Sequence, residues 1–241
     1  MKKSLWCLLL GYTFLFYLAG CDTDDGRIVD PDTEFQLYPP DYGEIGYTEN
    51  YNITTWTTGT IEPNTIERET EVSGTYVSLI GNIGLPDATV DTFSESVSLE
   101  VTSQNGAVTI NGIIWYDSST NEPVYRHETI SGTVLPPQTI TATPLDISIL
   151  PPTAKVGDFG TGTSWIYNDG RRSDSNWFLE ASRRGGAWLT SESTVNDGDT
   201  LLREYIHSVK INERGERESI YLELVDYVSN FTMTISGDRT N

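Results

Sequence analysis

Apolar and polar residues alternate along most of the chain after residue 34, with the period of two that β-strands show. In the clearest run, Val97, Leu99 and Val101 alternate with Ser98 and Glu100. No stretch here repeats apolar residues at the spacing of three and four that an amphipathic helix requires. Thr, Val, Ile and Tyr are frequent, and they favour the half-buried surface of a sheet. The pattern predicts an all-β protein of antiparallel strands, without substantial helix outside the N-terminal signal segment.

Turn signals divide the alternating runs into short predicted strands. Asn-Gly pairs are strong hairpin signals, and they occur at Asn105-Gly106 and Asn111-Gly112. Glycine-containing clusters at residues 168–170, 184–186, 196–199 and 212–215 indicate further turns. The predicted strands before residue 150 are 46–57, 69–80, 96–102, 108–110, 113–116, 124–131 and 139–149. Those after it are 161–168, 176–181, 187–194, 200–211, 219–228 and 231–237.

The proline pair Pro151-Pro152 marks a predicted boundary between two β modules. Proline cannot donate to a sheet ladder, so strand pairing is expected to stop there. The charge also shifts, because residues 22–154 carry 3 basic and 21 acidic side chains, whereas residues 155–241 carry 10 and 14. We therefore expect an N-terminal β domain over 35–152 and a C-terminal β-meander domain over 153–241, each a sandwich or a small barrel.

The N-terminus has the three parts of a secretory signal: a basic start, an apolar run over residues 5–18 and small residues before a cleavage point. The sequence Leu18-Ala19-Gly20-Cys21 that follows resembles the lipobox of bacterial lipoproteins. The resemblance implies that residues 1–20 are removed, that Cys21 becomes the first mature residue and that its thiol carries the lipid. Residues 21–34 would then be the lipidated cysteine and an acidic tether. An ordinary cleaved signal and an uncleaved anchor are the alternatives.

The resemblance also implies a cellular location and the fate of both cysteines. Cys7 would leave with the signal, so the mature chain would hold neither a free thiol nor a disulfide. The protein would sit in the bacterial cell envelope, with the membrane as partner through Cys21. Asp22 resembles an inner-membrane retention signal, whereas the acidic run that begins there resembles a surface-export tag. The choice between inner and outer membrane stays open.

Net charge excludes one class of partner. The formal charge is −20, and removal of Lys2 and Lys3 with the signal makes the mature chain still more acidic. Because such a chain repels phosphates, we expect no nucleic-acid binding.

A second resemblance rests on the junction and the strands after it. The residues from Ala154 to Gly160, Ala-Lys-Val-Gly-Asp-Phe-Gly, precede the strand sequence Trp177-Phe178-Leu179. This arrangement resembles bacterial envelope lipoproteins with a two-part β layout. The resemblance implies a fold and a location, but no activity and no catalytic residue.

No motif for catalysis, a cofactor or a metal is present in the sequence. His127 and His207 fall in different predicted domains, which argues against a histidine zinc site. The nucleophile elbow G-x-S-x-G and the phosphate-binding glycine loops are missing. A pair of carboxylates, as in glycoside hydrolases, remains an alternative because the chain has 35 acidic residues. We expect no enzyme activity, no cofactor and no metal.

Two groups of residues are candidate contacts for a ligand or partner. Two arginine pairs stand out against the acidic background because they flank one predicted strand, and they could bind an anionic group or balance nearby acids. Tyrosines recur near the first predicted strand, where two of them, four residues apart, share one face. They could stack on a glycan or a protein, or complete the core. These candidates are Arg171, Arg172, Arg183 and Arg184 in the first group and Tyr47 and Tyr51 in the second.

The expected function is therefore a non-enzymatic binding or structural module, lipid-anchored in the envelope, with an envelope protein or a glycan as possible partner. The first alternative is a carrier of lipid or another hydrophobic ligand with a hollow β half-barrel. The second is a carboxylate-dependent glycan hydrolase. A large internal cavity would favour the carrier, and a filled core would favour the binding module.

Overall fold

A computed structural model describes residues 29–86, 88–135 and 137–240, and all of its regular elements are β-strands. The expectation of an all-β, antiparallel fold is confirmed. Within these ranges the strands are β1 (Glu34–Gln36), β2 (Thr48–Thr60), β3 (Thr65–Arg68), β4 (Ser73–Gly81), β5 (Thr92–Thr102), β6 (Ala107–Asp117), β7 (Pro123–Gly132), β8 (Gln138–Asp146), β9 (Thr153–Lys155), β10 (Phe159–Thr161), β11 (Ser164–Tyr167), β12 (Arg172–Ala181), β13 (Ala187–Asp197), β14 (Thr200–Ile211), β15 (Arg217–Asp226) and β16 (Phe231–Thr240).

Twelve of these strands form one closed antiparallel barrel. Following the hydrogen bonds, the order is β12-β11-β8-β7-β6-β5-β4-β2-β16-β15-β14-β13, and β13 pairs with β12 to complete the circle. The short strands extend this wall, because β10 pairs with β12 on the same edge as β11, and β3 pairs with β2 on the same edge as β4. Alternation along each barrel strand sends every second side chain into the interior, which we call the lumen.

The two ends of the barrel differ. One end carries the connections 37–47, 82–91, 118–122 and 147–152, and we call it the open end. The other end, which carries the connections 61–64, 103–106, 133–137 and 227–230, is called the filled end. Its interior is packed with buried apolar side chains, among them Trp56, Val101, Val108 and Ile130.

A two-stranded sheet covers part of the open end. Strand β1 pairs with β9, and both Phe35 and Leu37 are fully buried in the main apolar cluster. The turn before β15 lies against this cap, where the Gln36 amide donates to the Glu213 carbonyl at 3.1 Å. Gly215 has a φ of 78° and a Cβ there would lie 2.4 Å from the Tyr38 carbonyl oxygen, so only glycine fits this contact. The described residues include no helix long and apolar enough to cross a membrane.

Most predicted strands and turns are confirmed. The predicted hairpin at Asn105-Gly106 joins β5 to β6, and the Ser103 amide donates to the Gly106 carbonyl at 2.8 Å. The turn predicted at Asn111-Gly112 is wrong, because β6 runs straight through it. Asn111 pairs with Ser98 on one side and Thr129 on the other, and this two-sided pairing overrides the local turn preference. The predicted strand 161–168 is divided between β10 and β11.

The barrel also corrects the expected arrangement of two separate modules. Strands from both sides of Pro151-Pro152 pair directly, at β8 with β11 and at β2 with β16. The prolines lie in the connection to β9, outside the barrel ladder, so they interrupt no barrel pairing. The segments 35–152 and 153–241 therefore contribute to one closed sheet.

We expect a fragment of residues 155–241 to be unfolded or aggregated when it is expressed alone. It would leave β16 without β2 and β11 without β8, which exposes two strand edges and the lumen face. Circular dichroism melting and amide proton dispersion, compared with those of the chain from residue 22 onward, measure this. Cooperative melting with dispersed signals from the fragment would contradict a shared barrel.

Candidate functional site

The lumen contains a cavity of about 1640 Å³ that reaches the open end. The apolar part of its wall comes from two pairs of neighbouring strands, β5 with β6 and β15 with β16. The filled-end layer that includes Trp56, Val101 and Ile130 does not line this cavity. The cavity therefore opens at the open end and does not reach this apolar layer. Its apolar wall includes Val97, Leu99, Ile110, Ile114, Leu222, Leu224 and Met233.

Small side chains explain why the lumen stays hollow. Ser173 and Ser175 on β12 and Ser191 and Ser193 on β13 all line the cavity, in the space that larger residues would fill. On the opposite wall, a Cβ added to Gly112 would meet no atom within 4 Å. A ring of twelve strands encloses more space than these side chains occupy.

A buried acid anchors a network of tyrosines near the open end. Glu49 is 1% exposed, and it forms an ion pair with Arg217 at 2.9 Å. Its carboxylate also accepts hydrogen bonds from the Tyr47 hydroxyl at 2.6 Å and the Tyr51 hydroxyl at 3.2 Å. Burial, followed by the charge of Glu49, raises the pKa of Tyr51. These contacts satisfy the buried carboxylate, which would otherwise destabilise the barrel.

A second acid, Glu95, lies on the β5 wall of the cavity. Its carboxylate accepts hydrogen bonds from the Tyr116 hydroxyl at 3.0 Å and the Ser78 hydroxyl at 3.3 Å. The Phe93 ring stacks on the Tyr116 ring, with centroids 5.2 Å apart. Burial, and then the charge of Glu95, raise the pKa values of Tyr116 and Tyr42 well above the usual tyrosine value. Both hydroxyls are therefore neutral hydrogen-bond donors at physiological pH.

Deeper in the lumen, Arg126 and Glu128 on β7 form an ion pair. Burial raises the pKa of Tyr205 to about 12, with a further contribution from Glu128. Trp165 and Tyr167 add aromatic surface to this part of the wall. The wall of this section therefore consists of aromatic side chains and an ion pair whose net charge is zero.

At the filled end, Arg203 forms an ion pair with Asp226 at 2.8 Å and donates to the Gln138 side chain at 2.7 Å. None of these three residues lines the cavity. The ion pair therefore lies in the interior of the barrel but is not part of the cavity wall.

His207 faces the lumen between these charged groups. Its ring lies 6.0 Å from that of Tyr76 on the opposite wall, measured between centroids. Burial and the positive charge of Arg217 lower the pKa of His207 to about 4. The imidazole is therefore neutral at pH 7, and its buried Nε2 has no hydrogen-bond partner among the described residues.

The predicted arginine contacts are not brought together. Arg171 and Arg172 lie beside the start of β12 at the filled end, whereas Arg183 and Arg184 lie in the exposed turn after it, at the open end. Arg171 pairs with Asp169 at 2.5 Å and Arg172 with Asp174 at 2.7 Å, which fits the charge-balance interpretation of that pair. The four arginines do not form one patch.

The predicted tyrosine contacts do share a face, and that face is the interior. Tyr51 is 1% exposed, and both Tyr47 and Tyr51 reach the same carboxylate. The Tyr42 ring lies 5.1 Å from Tyr38 and 5.8 Å from Tyr47, measured between centroids. These rings cover the open end of the barrel from within, so they line the site rather than an outer docking surface.

The described residues include some, but not all, of the other residues for which the sequence predicted a chemical role. Cys21 lies outside the described residues. Across residues 29–86, 88–135 and 137–240, no group of three His, Cys, Asp or Glu side chains could hold a metal ion. His127 lies between the inward-facing Arg126 and Glu128 on β7, so its side chain points outward, away from His207.

Sequence reasoning missed the charged groups of the lumen. The available signal was the phase of the alternation, since Glu95 is in phase with the apolar residues Val97 and Leu99. Glu49 is likewise in phase with Tyr47 and Tyr51. An acid on the apolar face of a strand predicts an interior partner, although the strand alone does not reveal which one.

Comparisons of the chain with known protein families, curated proteins and solved structures found no match.

We expect the neutral state of His207 to make stability depend on pH. Unfolded histidine takes up a proton below about pH 6.5, whereas the folded chain does so only near 4. Acidification between these values therefore favours the unfolded chain, at a cost of about 2 kcal/mol between pH 7 and 5. The variant His207→Gln should lose less unfolding free energy over this interval, as measured by urea titration.

The variant His127→Gln is the control, because that residue faces outward from the barrel wall. An equal effect of the two substitutions on the pH dependence would contradict the assignment to His207.

Proposed function

We propose that this barrel binds an amphipathic small molecule in its lumen, as a non-enzymatic binding protein held in the bacterial envelope by a lipid on Cys21. The observation that carries the proposal is the cavity of about 1640 Å³. Small-molecule pockets usually measure about 300–1,000 Å³, so this one accommodates a long hydrocarbon chain or a fused ring system.

The composition of the cavity wall supports an amphipathic ligand. The apolar patches around Leu99 and Leu222 favour hydrocarbon, because its transfer from water releases free energy in proportion to the buried area. The serines of β12 and β13 and the carboxylate of Glu95 offer hydrogen bonds to a polar group. A purely polar ligand would leave the apolar patches without a partner.

The mouth of the cavity has an apolar rim. Ile45 and Ile149 both line the cavity at the open end, and they are 66% and 53% exposed. Exposed aliphatic residues at the entrance let a hydrophobic ligand enter without losing all apolar contact. This feature favours the hollow carrier over a module that binds through its outer surface.

Glycan hydrolysis has less support from the interior acids. Glu49 and Glu128 are each committed to an arginine, and Glu95 is committed to hydroxyl donors. A glycosidase needs one protonated and one ionised carboxyl group on either side of the bond that is cleaved. We therefore propose binding without catalysis.

The binding test uses N-phenyl-1-naphthylamine, a neutral fluorescent probe that brightens in apolar surroundings. Trp165 and Trp177 line the cavity, so energy transfer from tryptophan should report probe in the lumen. We expect Gly112→Trp to weaken probe binding roughly tenfold, about 1.4 kcal/mol, because Gly112 lines the cavity and a Cβ there meets no atom within 4 Å, so the indole would occupy ligand space.

The matched control is Asn111→Trp, which places the same ring on the outer face of the same strand. Equal binding by both variants, or no binding by the unaltered protein, would contradict a ligand site in the lumen.

The anchor has a separate test. Mass spectrometry of the protein from a bacterial membrane fraction should show an acylated N-terminal peptide that begins at Cys21. The variant Cys21→Ser should retain residues 1–20, because the lipobox cysteine is the residue that is modified before cleavage. An unmodified N-terminus at another residue would contradict the lipoprotein assignment.

A further inference from the structure

The charged groups that face the cavity differ in whether they have a partner of opposite charge. Arg126 is paired with Glu128, and Arg217 is paired with Glu49. Glu95 forms no ion pair with any described residue, and its hydrogen-bond donors are neutral hydroxyls, among them those of Tyr116 and Ser78. Glu95 is thus a cavity carboxylate whose direct partners are neutral hydroxyls, and the charge of Arg217 acts on it only from beyond ion-pair distance.

Arg217 is the nearest guanidinium, but it is oriented toward the other acid. Its Nη1 lies 2.9 Å from Glu49, and its Cζ lies 5.3 Å from the centroid of the Tyr42 ring. The Arg239 guanidinium lies beside it, donating to the Arg217 carbonyl at 3.3 Å, and it does not line the cavity. Arg217 therefore forms its ion pair with Glu49, while its charge also attracts Glu95 without direct contact.

Aromatic rings surround the Glu95 side. Five of them line the same cavity, and the negative charge of Glu95 contributes to raising the pKa of each of the four tyrosines among them. The faces of aromatic rings attract cations, and a carboxylate beside them adds a full negative charge. Desolvation makes this attraction stronger than it would be in water. The rings are those of Tyr38, Tyr42, Tyr76, Phe93 and Tyr116.

We propose that the amphipathic ligand carries an ammonium group, which binds between Glu95 and the aromatic rings near the open end. The inference rests on the proposed function and names the ligand class of the same cavity. The apolar part of the ligand then extends along Val97, Leu99 and Leu222. The net charge of −20 gives the protein a negative potential that favours the approach of a cation.

The test compares three probes that share a dodecyl chain and differ in the head group: dodecyltrimethylammonium, dodecanol and dodecanoate. Each competes with N-phenyl-1-naphthylamine for the unaltered protein below its micelle concentration. We expect dodecyltrimethylammonium to displace the dye at the lowest concentration and dodecanoate at the highest. Equal or tighter binding of dodecanoate would overturn the inference, whatever the variants show.

The variant Glu95→Gln keeps the size and the hydrogen-bond acceptor but removes the charge. It should weaken dodecyltrimethylammonium roughly tenfold and leave dodecanol unchanged. Glu100→Gln, on the exposed face of the same strand, changes the net charge equally and should leave the order of the probes intact. An unchanged preference in Glu95→Gln, or an equal loss in Glu100→Gln, would assign the selectivity to overall charge and overturn the role of Glu95.

The two proposals fail in different ways. If dodecanol displaces the dye and only the preference for the ammonium head group is missing, the lumen site stands and the ligand class is wrong. If none of the probes binds and Gly112→Trp has no effect, the lumen site itself is wrong.

Discussion

Closure of the barrel is the constraint on which the interior depends. The hydrogen-bond ladder between β2 and β16 joins the first and the last strand of the barrel, and that between β12 and β13 completes the circle. A closed sheet has no free edge in its barrel strands, so all twelve can turn one face inward. Without closure, Glu49, Glu95 and Glu128 would face water rather than a shared lumen.

The lumen combines two kinds of charged groups that closure brings together. In ion pairs such as Arg203 with Asp226, each buried charge is compensated by one of opposite sign. This compensation limits the free-energy cost of removing the two charges from water. Glu95 differs because its partners are hydroxyls. The interior is thus polar enough to orient a ligand and apolar enough to bind its hydrocarbon part.

The sequence could predict the strands far better than their arrangement. Alternation is a local property, and the run from Val97 to Val101 shows it without any partner. Closure is not local, because the pairing of Asn50 with Thr240 joins residues at opposite ends of the chain. The proline pair was interpreted as a module boundary since nothing in a single sequence shows whether strands on its two sides will pair.

The site was predictable only in part, for the same reason. The shared face of Tyr47 and Tyr51 followed from their spacing, but their common partner Glu49 and its arginine from β15 required the fold. The volume of the cavity depends on small residues in its wall, such as Gly112 and the serines of β12 and β13. It also depends on the number of strands in the barrel. Neither is visible in an alternation pattern.

The adjacency of β2 and β16 has a consequence for biogenesis. A chain leaving the ribosome cannot close the barrel until residues 231–240 have been synthesised, because they supply the last strand. Early strands can form hairpins, but the lumen and its paired charges come into existence only when both chain ends meet. Contacts of such long sequence separation also make folding slow. A polypeptide with this topology therefore stays open for as long as its last strand is unavailable.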